Sequence, residues 1–174
     1  MENKKLSETL GHKATTESLQ QFADFSARLY YFMARKMVEK LGQEAGQEAV
    51  KEAIIEFGRY RGEKVREKVL AAGLALTMEN EYRHHDLPIG STIWDAVSRQ
   101  EGGRKISEII RCPFGQMWKN MGADELGLLY CAVDYAIWEG YNPDIRYERH
   151  ECIFEGDKTC IMSYQEPDSG KSEN

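Results

Sequence analysis

The chain has no apolar run approaching the roughly 20 residues that a membrane-spanning helix needs. It has no apolar segment behind its start, Met1 to Lys5, of the kind a secretory leader requires. A cytoplasmic protein that does not enter the membrane is therefore expected. Basic charge is also short: the formal net charge is -6, which argues against a nucleic-acid binder, because phosphate contacts need a basic surface. Cysteine numbers four, at Cys112, Cys131, Cys152 and Cys160, and no two form a C-x-x-C pair. None of the four histidines sits in H-x-x-x-H or H-E-x-x-H spacing. No metal site and no cofactor are expected from these patterns, and in a reducing compartment the cysteines should be free thiols. There is no internal repeat.

What is present fits one folded unit. With 174 residues, 41% hydrophobic and 30% charged, the composition is that of an ordinary globular domain. Residues 15–166 are expected to form a single α+β domain, with polar, flexible termini at 1–14 and 167–174. Between Thr16 and Leu41 the apolar positions Leu19, Phe22, Phe25, Leu29, Phe32, Met33, Met37 and Leu41 step by three and four, the mark of an amphipathic helix. Aromatics on more than one side of this helix favour a homodimer formed through it. A second long helix is expected from Glu44 to Ala72, with Val50, Ile54, Phe57, Val65 and Val69 inward. Its Gly58-x-x-x-Gly62 reads as a close helix crossing. A short helix from Ser91 to Arg99 would be closed by Gly102-Gly103. Arg104 to Pro113 reads as a strand, and Asp124 to Gly140 as one helix. Ile145 to Phe154 and Thr159 to Gln165 read as strands around a Glu155-Gly-Asp-Lys158 turn. Long helices first and antiparallel strands later give the α+β class.

Chemistry concentrates in the last third. On the helix from Asp124 to Gly140, Leu126, Leu129, Tyr130, Val133 and Ile137 form an apolar stripe. Gly127, Cys131, Asp134 and Trp138 form a second stripe on its flank. Cys131 and Asp134, three residues apart, can meet one another. With the hairpin turn centred on Gly156-Asp157, Tyr147, Arg149, Glu151, Cys160, Met162 and Tyr164 share one face. The other face carries Glu148, His150, Cys152, Ile161 and Ser163. The first face has the larger side chains and is expected to point inward, and a one-residue change in the turn would promote His150 and Cys152 instead. Arg149 on it could grip a carboxylate with its planar fork.

Arg111-Cys-Pro113, Glu125-Leu-Gly127, Tyr130-Cys-x-x-Asp134, Tyr141-Asn-Pro143 and Gly156-Asp-x-x-Cys160, in this order, resemble the L-2-amino-thiazoline-4-carboxylic acid hydrolase family. The final hairpin motif is also similar to small-molecule-binding domains of the 4-vinyl reductase type. The first resemblance implies a five-membered cyclic amidine carboxylate as substrate, opened by water to an N-carbamoyl amino acid. Such a reaction needs a nucleophile, a proton route and a cation for the carboxylate. Cys131 or Cys160 would be the nucleophile, or Asp134 the base that activates water. Arg149 would clamp the carboxylate, Glu125 or Asn142 would hold the amidine nitrogens, and Cys112 and Trp138 would line the pocket. The other reading is a non-catalytic sensor that holds a small hydrophobic or anionic ligand.

Overall fold

The computed structural model describes residues 16–87 and 94–167. In chain order the elements are α1 (Thr16–Leu41), α2 (Gln43–Ala71), α3 (Met78–His84), β1 (Asp95–Glu101) and β2 (Arg104–Arg111). They continue with α4 (Pro113–Asn120), α5 (Asp124–Tyr130), α6 (Ala132–Tyr141), β3 (Arg146–Glu151) and β4 (Cys160–Gln165). The four strands form one antiparallel sheet in the order β1-β2-β4-β3. The class is α+β, with the long helices first. Among the described residues no helix is long and apolar enough to cross a membrane.

α2 and α6 cross at very close range because glycine faces backbone on both sides. A Cβ on Gly62 would lie 2.1 Å from the carbonyl oxygen of Ile137, and one on Gly140 would lie 2.3 Å from that of Arg59. The Gly58-x-x-x-Gly62 spacing therefore serves a helix crossing, as its pattern implies. Below the crossing, Val65 and Val69 of α2 meet Trp138 and Tyr141 of α6 with Tyr147 and Tyr164 of the sheet, forming the main core. A second core gathers around Trp118 of α4, whose indole N–H donates to the Ala27 carbonyl of α1 at 2.8 Å.

α1 turns its small residues inward. Ala23, Ala27 and Ala34 are buried, while Phe22, Phe25, Leu29, Phe32 and Met33 face outward. On α2, Phe57 likewise faces outward rather than joining Val50, Ile54, Val65 and Val69.

Three expectations are corrected. The segment predicted as a helix from Ser91 to Arg99 contributes a strand, β1, from Asp95 onward, while Ser91 lies outside the described residues. Gly102 and Gly103 have φ of 57° and 78°, so they make the tight two-residue turn that joins antiparallel strands, with Glu101 opposite Arg104. The Gly-Gly pair is a hairpin signal, and pairing with β2 overrides a weak helical pattern. The helix predicted from Asp124 to Gly140 is two helices, α5 and α6, broken at Cys131.

The third correction concerns register. Tyr147 pairs with Tyr164 and Arg149 with Met162, two residues from the alignment predicted by a Gly156-Asp157 turn, so these side chains keep their predicted face. A bulge at His150 then places Glu151 opposite Ile161. Beyond the bulge the alternation is reset: Glu151 leaves the inner face and buried Cys152 takes its place.

Candidate functional site

The break at Cys131, the bulge at His150 and the start of β4 bring three sulfurs together. The Cys152 thiol lies within hydrogen-bonding range of both Cys131 and Cys160. Cys112 stands near enough for its charge to act on Cys131 and Cys160. Each element has a local reason to present its thiol. Cys131 closes α5 and opens α6 without using its side chain as a cap, which leaves the sulfur available. Cys112 caps α4, its sulfur accepting the Gly115 N–H at 3.4 Å ahead of Pro113. The loop after β3 is folded back by Asp157, whose carboxylate accepts the Cys152 N–H at 2.8 Å, and Cys160 Sγ accepts the Ile153 N–H at 3.5 Å. Gly127 seats this loop, since a Cβ there would meet the Phe154 ring at 2.4 Å.

The electrostatics of the trio favour one negative charge at its centre. The S–H groups of Cys131 and Cys160 donate to Cys152, the Phe154 N–H adds a third donor, and Arg149 supplies positive charge; together they hold the Cys152 thiol well below the usual thiol range against the cost of burial. The outer two thiols are pushed up, first because they donate to Cys152 and second because they are buried. Asp134 adds a repelling field on Cys131. The three sulfurs therefore share one charge, favoured on Cys152 by the donors and the positive charge around it.

Asp134, one turn along α6 from Cys131, is raised to about 6. Burial is the main cause, opposed by the positive fields of Arg61, Arg149 and His85. Arg61 is itself buried and bound through two nitrogens to Asp86, each at 2.7 Å. His85 joins it, with one ring nitrogen 3.2 Å from Arg61 and the other 2.6 Å from buried Glu81. Arg149 approaches Glu155 at 3.8 Å, and among the described residues its Nη1 is buried without a hydrogen-bond partner, as is the Tyr147 hydroxyl. Two unused polar groups beside a carboxyl with a raised pKa mark this region as more than core packing.

Two hollows flank the thiols. The smaller, about 160 Å³, lies between the end of β2, α4 and the β3–β4 loop. It is lined by Cys112, Cys160 and Ile153, with Arg111, Lys119 and Lys158 around it. The larger is an open groove of about 440 Å³ running past Ile55, Leu129, Ala132 and Ala136, with Lys51 and Arg149 among its lining.

Of the residues singled out in the sequence, Cys131, Asp134, Arg149 and Cys160 belong to one neighbourhood, with Cys112 across the smaller hollow from Cys160. Trp138 packs in the core against Tyr82, Tyr141 and Tyr164. Asn142 spends its amide on the Leu76 carbonyl at 2.8 Å and on the Asp144 N–H. Glu125 is exposed and accepts from Gln43 and Gln47 of α2. Tyr147 was placed on the inner face without a role, and Arg61 with His85 and Asp86 was expected to be solvated rather than joined to Glu81. Cys152 was placed on the opposite face, to turn inward only on a one-residue change, and the bulge in Arg149-His-Glu151 supplies that change.

Comparison with known proteins gives two results. The family model for L-2-amino-thiazoline-4-carboxylic acid hydrolase matches residues 22–164. Among solved structures, trafficking protein particle complex subunit 3 from Naegleria fowleri, covalently bound to palmitic acid, is similar in fold. The TM-score is 0.54 at 12% identity, covering 84% of this chain and 95% of that one. No curated protein matches.

Proposed function

This chain belongs to the L-2-amino-thiazoline-4-carboxylic acid hydrolase family, and we propose that it hydrolyses a small cyclic amidine carboxylate by thiol chemistry in the smaller hollow. The observation that carries this reading is the contact of Cys160, which opens on that hollow, with a Cys152 thiol that holds negative charge. A ligand of nine or so heavy atoms suits a space of about 160 Å³, and the positive charge of Arg111, Lys119 and Lys158 suits its carboxylate.

The three sulfurs share one negative charge, and the arrangement with the charge on Cys160 and the proton on Cys152 is the one that reacts: the Cys160 sulfur bonds to the amidine carbon, and the C=N electron pair moves to the ring nitrogen. Collapse of that adduct breaks the ring carbon–sulfur bond, and the departing sulfur takes the proton from Cys152. Water then adds to the enzyme-bound isothiourea and gives a proton to Asp134, which is able to exchange protons near pH 6. Breaking the bond to Cys160 releases the N-carbamoyl amino acid with its free thiol: the proton held by Asp134 returns to the Cys160 sulfur, the hydroxyl proton of the adduct moves to the former ring nitrogen, and one water has been consumed. Arg149 keeps the charge on the sulfurs. In this scheme the substrate carboxylate is held by Lys158 rather than Arg149.

The test is ring opening of the thiazoline carboxylate by purified protein, followed by liberated thiol. Cys160→Ala and Cys152→Ala should each lower the rate at least a hundredfold, on the scale expected for loss of a nucleophile or its proton partner. Equal turnover in all three of wild type, Cys160→Ala and Cys152→Ala sinks the assignment.

The larger groove favours a second reading, a sensor for an amphiphilic anion. Its apolar lining would take a chain, and the unpartnered Arg149 Nη1 would take a carboxylate. A ligand retained through purification, with no ring opening on any cyclic amidine, would select this reading.

A further inference from the structure

The outward stripe of α1 is the largest feature that the thiol site leaves unused. Phe22, Phe25, Leu29, Phe32 and Met33 are 58%, 64%, 51%, 56% and 59% exposed. At 100° per residue they occupy one arc of about 100° and span about 16 Å along the helix. The buried arc of Ala23, Ala27 and Ala34 lies on the other side, against the body of the protein. Five large apolar side chains left half-bare in one arc oppose the ordinary preference for burial, and their exposed area is roughly 500 Å², near the upper limit for a lone chain.

We infer that α1 forms a twofold interface with α1 of a second copy of this chain, the two helices lying antiparallel. Area supports the second copy as occupant. The stripe from each side, before its flanks are counted, already gives roughly 1,000 Å², which is about the size at which stable association begins. The 3-4-3 spacing of Phe22, Phe25, Leu29 and Phe32 is that of a helix–helix seam, which meets its own copy without a separate partner sequence. Charge along α1 selects the direction. Glu17 and Asp24 stand in its first half, with Arg28 near its middle, and Arg35, Lys36 and Lys40 outnumber Glu39 in its second. An antiparallel pair sets acid against base at both ends, whereas a parallel pair sets like against like. With the twofold axis near Leu29, Phe25 faces the region of Phe32 and Met33 of the second copy.

Sedimentation or light scattering on the full chain tests this. Wild type should run at twice the 20.0 kDa chain mass. The Phe25→Glu, Leu29→Glu variant should run at the single-chain mass with unchanged helical circular dichroism, since both positions are exposed. Under mild oxidation Leu29→Cys should cross-link to its own copy and Phe25→Cys should not, since only Leu29 lies at the axis. Wild type at the single-chain mass at tens of micromolar overturns the proposal, and wild type that stays monomeric but pellets with lipid vesicles assigns the stripe to a membrane instead. A double-Glu variant that remains a dimer moves the interface elsewhere. A Phe25→Cys variant that cross-links to itself as readily as Leu29→Cys removes the antiparallel arrangement.

Discussion

α1 and α6 are both amphipathic in sequence, yet they use their side chains in opposite ways. α1 buries alanines and leaves phenylalanines outside, so that its backbone approaches its neighbours closely while its bulk points away. α6 is enclosed on two sides, by α2 at the glycine crossing and by the sheet beneath, and it buries Val133, Ile137, Trp138 and Tyr141. Its acid, Asp134, is drawn into the same enclosed region as the thiols. Close approach is achieved with small residues in both places. The difference is that α6 has a second layer to receive its large and polar groups and α1 does not. The proposed chemistry accordingly collects along α6, and the proposed association surface along α1.

The contrast is broken most severely at the crossing. Gly62→Ala puts a carbon 2.1 Å from the Ile137 carbonyl oxygen, where backbone meets backbone and no rotamer change relieves it. The two helices must separate, at a cost of about 3 kcal/mol or more, read as a fall in chemical denaturation midpoint together with loss of ring opening. Wild-type stability in this variant would mean that α2 and α6 do not cross as described.

Asp134→Asn tests the polar content of α6 with a sign that is unusual for a charge deletion. The folded carboxyl is raised from 3.8 to about 6, so the unfolded chain ionises first and folding stability falls as pH rises from about 4 to about 6. Above pH 6 the wild type bears the full cost of an ionised, buried carboxylate. Asparagine cannot ionise, so the variant should be more stable by on the order of 2 kcal/mol at pH 8 and about equal to wild type at pH 3.5. Denaturant unfolding at the two pH values measures this. Turnover should drop in the same protein, and the limb of the wild-type rate profile rising through about pH 6 should vanish.

Arg149→Met removes the positive charge that helps hold the Cys152 thiol down. Loss of a nearby opposite charge moves a pKa by about 1 unit or more, so thiolate absorbance and alkylation by iodoacetamide should titrate at correspondingly higher pH. An unmoved profile would leave the S–H and N–H donors as the whole cause.

Much of this was legible from residues alone. Periods of three and four located α1 and α2, the glycine spacing announced a close crossing on α2 without naming its partner, and Cys131 with Asp134 marked one flank of the helix that follows. Direction was not legible. The same spacing that says a helix has an apolar stripe cannot say whether alanines opposite it pack more closely, which depends on how near the neighbouring backbone comes. β1 was missed because its side chains are all exposed, leaving no alternation to read. Cys152 was missed because one extra residue at His150 reverses every side chain beyond it, and nothing in Arg149-His-Glu151 declares a bulge.

The smallest expected effect is at Phe25, and it separates the two kinds of helix face. On a lone chain, Phe25→Ala removes a side chain that is already 64% exposed, so unfolding free energy should change by no more than about 0.5 kcal/mol. In a dimer the same ring is buried against a second copy, and its loss also weakens association. Stability then depends on protein concentration, because the partner binds only the folded state. At submicromolar protein, wild type and Phe25→Ala should melt together; at a hundred micromolar the wild type should melt several degrees higher. Melting curves that stay superimposed at both concentrations would leave Phe25 a solvent-facing ring on a single chain. A gap of equal size at both would place it in the core, against the exposed face that α1 presents.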